Sequence, residues 1–261
     1  MTKPGLVYIT GASSGIGQAL AQHYYQRGWS LALVARRTQV IEQWAQSIGM
    51  DEQRYAVYEA DVSLIDSACY AGQACLERQG LPDIVIANAG ISWGVDTSLR
   101  EDLDVMQQVL ACNTMGLAAS FQPFITPMVV RGSGRLVGIC SVAGIRGLPG
   151  HAAYSASKAA AISYCESLRV ELQKTGVSVT SLLPGYIDTP LTQNNPYPMP
   201  FLLTSPEFAR RACRVIERKA RYVVIPWQMG IAGRVMRMLP AWIWDKVTQG
   251  KTRKPRYLKK D

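Results

Sequence analysis

Short apolar segments alternate with longer amphipathic segments along most of this chain. The apolar segments predict seven strands, at 6–10, 30–35, 54–59, 83–88, 134–140, 177–183 and 221–225. The stretches between them have the residue spacing of helices. Strands that alternate with helices in this way form a parallel sheet with helices on both faces. We therefore expect an α/β fold built on a doubly wound parallel sheet.

The first predicted strand leads directly into a glycine-rich turn. Residues 10–17 read TGASSGIG, and a helical stretch with Ala19, Leu20 and Tyr24 on one face follows them. Such a turn places backbone N–H groups and the positive end of a helix dipole where phosphate oxygens bind. The spacing G-x-x-x-G-x-G differs from the G-x-G-x-x-G of many dinucleotide sites. The strand-to-helix context still predicts the pyrophosphate site of a Rossmann fold.

Three polar residues in the middle of the chain indicate acid–base chemistry. Tyr154 and Lys158 are four residues apart in an Ala-rich helical stretch, so they share one face of it. Ser141 follows the strand at 134–140 and faces the same cleft. An ammonium about 4 Å from a phenolate stabilises it by about 4 kcal/mol at an effective dielectric of about 20, which suits the phenol for proton transfer. A surface Tyr/Lys pair is the alternative for this spacing taken alone.

Together these segments resemble the short-chain dehydrogenase/reductase family up to about Pro190. The resemblance implies a nicotinamide cofactor and a catalytic set of Asn113, Ser141, Tyr154 and Lys158. The residues that match its cofactor site are Gly11, Ser13, Ser14, Gly15, Ile16, Gly17, Asp61, Val62, Asn88, Ala89, Gly90, Tyr154, Lys158, Pro184, Gly185, Ile187 and Thr189. The chain departs from the family at Ala87, where a second Asn is usual.

The resemblance also implies a role for each member of the catalytic set. Ser141 would hydrogen-bond the substrate carbonyl oxygen, and Tyr154 would exchange a proton with it. Lys158 would stabilise the phenolate and bind the nicotinamide ribose. Asn113 would anchor a water that links Lys158 to solvent. The expected reaction is hydride transfer between the nicotinamide and a carbonyl or secondary alcohol.

The end of the second strand indicates which cofactor is preferred. Sites for NAD place a carboxylate about 20 residues after the glycine turn, where it binds the ribose 2′-hydroxyl. Ala35 occupies that place, and Arg36 and Arg37 follow it. Guanidinium groups bind a 2′-phosphate well, so we predict NADP(H), with Arg36 as the main contact. A solvated surface Arg pair is the alternative.

Composition and negative findings agree with this interpretation. The chain has 261 residues, is 48% hydrophobic, and has no internal repeat or linker, so we expect one domain with its own core. The six cysteines form no C-x-x-C pair, and we expect no metal site.

His23 and His151 are the two histidines, and neither suits a Ser-His-Asp hydrolase; we expect His151 to line the substrate pocket. Because no apolar signal segment precedes the first strand, we expect a cytoplasmic protein.

The segment after Pro190 is expected to select the substrate. Residues 192–206 contain four prolines, which exclude a regular helix and predict a lid over the pocket. Met199, Phe201, Leu202 and Leu203 would form the apolar inner face of this lid and favour a lipophilic carbonyl or alcohol substrate. A surface loop packed on its own side chains is equally compatible with the pattern. The substrate extension would span about 190–250, followed by a basic tail at 251–261.

The C-terminal part of the chain is strongly basic. From Ala209 onward there are 15 Lys or Arg residues and 3 acidic ones, although the whole chain has a net charge of +9. Trp227, Met238, Trp242 and Trp244 lie within this part. Such a composition suits a helix at an anionic membrane surface, in this case the inner face of a membrane. The alternative is a terminal helix packed beside the substrate pocket; we expect no nucleic-acid partner.

Two helical segments, 100–128 and 152–174, are apolar on more than one face. Their apolar residues are Leu103, Met106, Leu110, Met115, Leu117, Phe121, Ile162, Leu168 and Leu172. A helix that is apolar beyond one stripe needs a second partner, so we expect a homodimer or homotetramer. Two function classes follow from the sequence. One is an NADP(H)-dependent oxidoreductase, and the other is an NADP(H)-binding sensor or scaffold that acts through its basic C-terminal surface.

Overall fold

A seven-stranded parallel sheet forms the centre of the molecule. The computed structural model describes residues 4–193 and 195–257. The strands of this sheet are β1 (Leu6–Thr10), β2 (Ser30–Ala35), β3 (Tyr55–Glu59), β4 (Ile84–Ala87), β5 (Gly134–Ile139), β6 (Val177–Pro184) and β9 (Tyr222–Ile225). Their order is β3-β2-β1-β4-β5-β6-β9. All seven predicted strands are confirmed, with bounds that shift by one residue at most.

Helices cover both faces of the sheet, as the alternating pattern predicts. They are α1 (Gly15–Gln26), α2 (Thr38–Ser47), α3 (Ile65–Gln79), α4 (Arg100–Leu110), α5 (Gly116–Arg131), α6 (Ala152–Glu171), α7 (Ser205–Glu217), α8 (Trp227–Met238) and α9 (Ala241–Thr248). A π-helical turn at Ala111–Met115 joins α4 to α5. The chain order reverses direction between β1 and β4, and in doubly wound sheets ligands bind at such a switch point.

The core has two layers, one on each side of the sheet. Val7 and Ile9 of β1 point to the layer that α1, α2 and α7 cover. Tyr8, between them, points to the layer formed with α3, α5 and α6. Side chains alternate between faces along a strand, so a strand buried on both faces is apolar throughout. This explains the continuous apolar runs in the sequence.

The segment after β6 differs in detail from the predicted lid. A two-stranded sheet pairs β7 (Ile187–Asp188) with β8 (Leu203–Thr204), which the sequence pattern did not predict. The non-helical stretch ends at Thr204, because Pro206 lies in the first turn of α7, where proline needs no N–H partner. Asn194 of the predicted lid lies outside the described residues.

The last part of the chain returns to the carboxyl end of the sheet. Residues 251–257, here called the C-terminal strap, cross the segment that follows β4. Arg256 forms a parallel bridge with Gly94, and the backbone N–H of Tyr257 donates to the Gly94 carbonyl at 3.0 Å. The strap thus places Arg256 and Tyr257 beside residues that follow β4. In the described part of the chain, no helix is long and apolar enough to cross a bilayer.

Candidate active site

A cleft of about 580 Å³ opens at the carboxyl ends of the central strands. Its volume lies in the range of small-molecule sites, about 300–1,000 Å³. The predicted site residues that line it are Gly11, Ser13, Ser14, Gly15, Ile16, Arg36, Arg37, Asp61, Val62, Asn88, Ala89, Gly90, Ser141, Tyr154, Lys158, Pro184, Gly185, Ile187 and Thr189. Gly17 and Asn113 stand behind the cleft wall and support it.

The glycine turn at the start of α1 has the backbone that a phosphate cradle requires. Gly11 and Gly15 have φ values of +67° and +56°, a region that residues with a Cβ rarely adopt. A Cβ on Gly15 would also lie 3.1 Å from the Thr189 side chain. Residues 13–16 line the cleft, so open space lies above the N-terminus of α1. Free N–H groups of that helix point into this space, which suits a pyrophosphate.

Gly17 and Asn88 lock the turn to the neighbouring strand. A Cβ on Gly17 would lie 2.3 Å from the Gly11 carbonyl oxygen, so only glycine fits there. The Asn88 amide donates to the carbonyl oxygens of Thr10 at 2.9 Å and Gly11 at 3.2 Å. The Thr10 hydroxyl in turn accepts from the backbone N–H groups of Asn88 and Ala89. These bonds hold β4 and the glycine turn together and keep the cradle rigid.

Arg36 and Asp61 face each other at the end of the cleft near β2 and β3. Arg36 Nη1 lies 3.7 Å from Asp61 Oδ2, and the guanidinium is mostly exposed. Asp61 also accepts from the backbone N–H and the hydroxyl of Ser63. Burial raises the pKa of Asp61, but the Ser63 hydrogen bonds and the Arg36 charge outweigh it, so the pKa is lowered. This end of the cleft therefore holds an ionised carboxylate with a guanidinium beside it.

Ser141 is held at the end of β5 by local structure. Its hydroxyl oxygen accepts from the backbone N–H of Ala143 at 3.1 Å and caps the short 3₁₀ helix Val142–Gly144. This bond fixes the side-chain rotamer and leaves the hydroxyl proton available to another acceptor. The residue is buried but lines the cleft. Ser141 can thus donate a hydrogen bond to a ligand oxygen.

Tyr154 and Lys158 lie on the first turns of α6 and share the face that borders the cleft. The Lys158 ammonium lies 5.9 Å from the centre of the Tyr154 ring. Lys158 is buried, and its Nζ donates to the Ile139 carbonyl at 2.8 Å. That bond anchors the ammonium at the end of β5. Ser141, Tyr154 and Lys158 therefore lie together along one wall of the cleft, as the sequence predicted.

Asn113 is fully buried in the π-helical turn between α4 and α5. Its Oδ1 accepts from the backbone N–H of Ile91, and its Nδ2 donates to the Ile91 carbonyl, both at 2.8 Å. Nδ2 also donates to the Ser157 hydroxyl on α6. The side-chain amide therefore positions residue 91 and α6, a task that sequence reasoning missed. The relay water stays a prediction. Turns of the π type occur frequently at functional sites.

Gly90 has a steric role that the motif alone did not explain. A Cβ at this position would lie 3.1 Å from Asn113 Oδ1 and 3.5 Å from Lys158 Nζ. The missing side chain lets the segment that follows β4 lie close to both polar groups. Glycine at this position therefore leaves room for Asn113 and Lys158 beside the cleft.

An aromatic residue of the cleft wall, Trp93, is packed against the C-terminal strap, a contact that sequence reasoning missed. Trp93 lines the cleft and stacks on Tyr257 of the C-terminal strap, with ring centres 4.1 Å apart and planes inclined by 14°. Trp93 follows the matched Asn88–Gly90 motif by only a few residues, a position that could have drawn attention to it. The contribution of the strap comes from the far end of the chain and has no local signal.

His151 contacts the lid segment rather than the cleft wall. Its Nδ1 lies 3.0 Å from the Pro149 carbonyl and its Nε2 lies 3.0 Å from the Tyr197 hydroxyl. Burial lowers the pKa of His151, which favours the neutral ring. With Nδ1 donating to a carbonyl, Nε2 accepts from the hydroxyl of Tyr197. Burial, and the nearby phenols of Tyr186 and Tyr154, raise the pKa of Tyr197 to about 12.

The apolar inner face predicted for the lid is wrong in two of its four residues. Phe201 and Leu202 are 53% and 45% exposed, because the chain turns outward there before β8. Leu203 pairs with Ile187 in the two-stranded sheet. The prolines correctly predicted irregular backbone, but they do not determine which side chains face inward. Tyr197 makes the inward contact instead.

Comparisons with known proteins agree with the site. The short chain dehydrogenase family model matches residues 5–198. An uncharacterized oxidoreductase of Myxococcus xanthus is 37% identical over 240 residues, which cover 91% of this chain and 93% of the relative. A dehydrogenase/reductase SDR family protein 7-like of Anopheles gambiae is 36% identical over 72% of this chain, which spans 61% of the relative's length.

A solved structure of similar fold extends the comparison. An alcohol dehydrogenase of the archaeon Thermococcus sibiricus, complexed with 5-hydroxy-NADP, has a TM-score of 0.73 and 26% identity. The match covers 85% of this chain and 96% of the archaeal one. Within residues 4–193 and 195–257, no group of three or more His, Cys, Asp or Glu side chains is arranged so that it could hold a metal ion. From the family match, the parallel sheet and the glycine cradle together, the chain belongs to the short-chain dehydrogenase/reductase family of oxidoreductases.

Proposed function

We propose that the protein is an NADP(H)-dependent oxidoreductase that interconverts a carbonyl compound and its secondary alcohol. The observation that carries the proposal is the presence of Ser141, Tyr154 and Lys158 on one wall of the cleft that contains the glycine cradle. A hydroxyl donor, a phenol and a buried ammonium beside a phosphate cradle are the groups needed to reduce a carbonyl group with a nicotinamide cofactor. A binding protein without catalysis would need the cradle alone.

The residues of the cleft fit a dinucleotide along its whole length. Gly11, Gly15 and Gly17 leave the space that a pyrophosphate needs, and Asp61 and Val62 border the region expected for adenine. Pro184, Gly185 and Thr189 line the other end, beside Tyr154. When bound, the nicotinamide supplies or accepts the hydride. The protein contributes binding, orientation and proton transfer.

The proposed preference for NADP(H) follows from charge at the adenosine end. Ala35, at the end of β2, offers no carboxylate to a ribose hydroxyl, and Arg36 stands exposed at the cleft rim. Arg36 can turn from Asp61 toward a 2′-phosphate, whose charge exceeds that of a carboxylate. The archaeal alcohol dehydrogenase, with its bound NADP derivative, supports the same preference.

Proton transfer is assigned to Tyr154. Its phenol would give a proton to the substrate oxygen in reduction and take it back in oxidation. The Lys158 charge, fixed by the Ile139 carbonyl, stabilises the phenolate that remains. Ser141 donates to the same substrate oxygen and stabilises the negative charge that develops on it. Asn113 holds the floor of the cleft through Ile91 and Ser157.

The substrate is proposed to be a lipophilic carbonyl compound or alcohol. Trp93, Ile91 and Leu191 line the same cleft as Tyr154, and Tyr257 stacks on Trp93. Apolar and aromatic walls bind apolar substrate groups, while Ser141 and Tyr154 bind the reacting oxygen. Phe201 and Leu202 are exposed and do not line the cleft.

The test is a turnover screen of ketones and aldehydes of increasing apolar size. NADPH oxidation is followed by its absorbance for the wild type and for Tyr154→Phe. The control is Tyr164→Phe, the same change elsewhere on α6. We expect turnover of apolar carbonyls, its loss in Tyr154→Phe with NADPH affinity retained, and its retention in the control. NADPH binding without turnover of any carbonyl would instead support the sensor or scaffold.

We also propose a homodimer or homotetramer. Fewer residues are available for its interface than the sequence predicted. Leu103 on α4 and Met115 at the end of the π-helical turn are exposed. Leu117, Phe121, Leu168 and Leu172, also predicted to need a partner, are buried within the subunit by the sheet layer. Light scattering should give two or four subunits, and Leu103→Gln with Met115→Gln should reduce that number. A monomer at micromolar concentration would contradict it.

A further inference from the structure

An apolar stripe lies on the outer face of α8 and continues onto α9. It consists of Trp227, Ile231, Val235 and Met238 on α8 and Trp242 on α9, and we call it the apolar ridge. Trp227 is 64% exposed, Met238 84% and Trp242 70%. Positions spaced by three or four residues share one face of a helix, so the α8 members form a continuous strip. Single exposed apolar side chains are common, but a contiguous exposed apolar patch is typical of a surface that binds something.

The opposite faces of these helices are firmly attached to the protein. Met229 and Gly233 are buried, and a Cβ on Gly233 would lie 2.5 Å from the Ile145 side chain. The Trp244 indole donates to the Gly147 carbonyl at 3.2 Å. Arg146 donates to the carbonyls at the end of α8, Met236 and Leu239, at 2.7 Å each. The ridge therefore cannot turn inward without breaking these contacts.

The ridge does not belong to the cleft. Among the described residues that line the cleft, none comes from α8 or α9. Of the predicted terminal helix beside the pocket, only the buried face of α8 approaches a cleft residue: a Cβ on Gly185 would lie 2.9 Å from the Met229 side chain. The exposed face needs a separate explanation.

Positively charged residues lie on the same two helices as the ridge, in a basic part of the chain. From Arg218 to Tyr257 the sequence contains ten Lys or Arg residues and one acidic residue, Asp245. Arg234 and Arg237 on α8 and Lys246 on α9 are exposed. Arg234 stands one turn from both Ile231 and Met238, so charge lies beside the apolar strip itself. A second copy of this chain would bring like charges together at such a face.

We propose that the apolar ridge and its basic surroundings dock the protein on an anionic lipid surface as a peripheral protein. Tryptophan side chains favour the membrane–water interface, and an amphipathic helix with a basic rim lies in its plane. The helices of 12 and 8 residues are suited to lie on the surface rather than to cross it. Anionic head groups neutralise the arginines while the ridge enters the acyl boundary. The inference does not depend on the proposed activity, because binding is measured without turnover.

The test is co-sedimentation of the full chain with vesicles of phosphatidylcholine alone or with phosphatidylserine added. We expect binding to the anionic vesicles at low salt and its weakening as salt is raised. Trp227→Gln with Trp242→Gln should reduce binding by at least about tenfold, because the apolar contact is lost. Arg234→Gln with Lys246→Gln should reduce it by about fivefold for each charge removed.

Matched control variants test whether vesicle binding depends on the ridge or on any exposed apolar or basic side chain. Tyr70→Gln with Val130→Gln removes two equally exposed apolar residues from α3 and α5. Arg78→Gln with Lys174→Gln removes two exposed charges outside α8 and α9. Both control variants should bind vesicles as the wild type does, and circular dichroism should show every variant folded.

Three results would overturn the proposal. One is absence of binding to anionic vesicles at low salt, and a second is equal binding to neutral and anionic vesicles. The third is a ridge variant that changes the oligomeric state in light scattering while vesicle binding is absent, which would assign the ridge to a second copy.

Discussion

The Arg256 guanidinium binds the Asp102 carboxylate with two parallel hydrogen bonds, although the residues are 154 positions apart in the chain. Nε donates to Oδ2 and Nη2 to Oδ1, each at 2.8 Å. Asp102 is 1% exposed, and its Oδ2 also accepts from the backbone N–H of Asp96. The hydrogen bonds from Arg256 lower the pKa of Asp102 to about 2. This pair attaches the C-terminal strap to α4 beside Trp93.

Arg256→Ala should loosen the strap and weaken substrate binding more than cofactor binding. Tyr257 would lose its fixed place behind Trp93, and Asp102 would be left buried without its partner. We expect a higher KM for the carbonyl substrate, a nearly unchanged Kd for NADPH and a lower Tm. Arg253→Ala, a change at an exposed neighbour, should leave all three near the wild-type values. An unchanged KM in Arg256→Ala would show that the strap does not shape the cleft.

Arg36→Ala should weaken NADPH binding much more than NADH binding. One charge-assisted contact to the 2′-phosphate contributes about 1.5–3 kcal/mol, or roughly 10- to 150-fold in affinity. NADH has no such phosphate and should be nearly unaffected. Fluorescence titration with both cofactors measures the ratio, and Arg78→Ala, at an exposed residue that does not line the cleft, is the control for loss of charge. Equal losses for NADPH and NADH would remove Arg36 from the cofactor contact.

Lys158→Ala should impair both turnover and cofactor binding, in contrast to Tyr154→Phe. The buried ammonium is bonded to the Ile139 carbonyl and lies 5.9 Å from the Tyr154 ring centre. Its removal takes away the charge that stabilises the phenolate and the donor proposed to bind the ribose. We expect kcat to fall and the Kd for NADPH to rise together. Stopped-flow turnover and titration measure the two effects, and a loss of kcat alone would separate Lys158 from the cofactor.

Stability should decline as the pH falls below about 6.5, the ordinary value for histidine. Burial lowers the pKa of His151, with a smaller effect of the Lys254 charge, and burial likewise lowers that of His23. A lowered folded-state pKa means that the unfolded chain binds the proton first as the pH falls. The histidines' contribution to stability is therefore fully present above the unfolded-state pKa of about 6.5 and is lost below it. Urea unfolding from pH 7.5 to 5 should show this loss.

His151→Gln and His23→Gln should each reduce the slope of that decline, and the double variant should flatten most of it. The carboxylates of Glu207 and Asp102, whose pKa values are lowered to about 2, contribute only in more acid solution. An unchanged slope in the double variant would mean that other groups take up the proton in this range.

The strands, the glycine turn and the catalytic cluster could be predicted because each depends on local pattern. Strand segments buried on both faces are apolar throughout, and Gly11, Gly15 and Gly17 have positions that backbone geometry restricts. Tyr154 and Lys158 follow the helical period. The lid shows where local pattern fails, because prolines exclude a helix but do not orient Phe201 or Leu202.

The amino-acid sequence determined the order of strands and helices, the phosphate cradle, and the polar residues at the carboxyl ends of the strands. These features depend on interactions between residues near one another in the chain. Tertiary structure alone decided that Arg256 meets Asp102, that Asn113 supports Ile91, and that the outer faces of α8 and α9 remain in solvent. The physical reason is that such contacts join distant segments. The partners in these contacts are selected by the packing of the whole sheet. The local periodicity of the sequence carries no information about that packing.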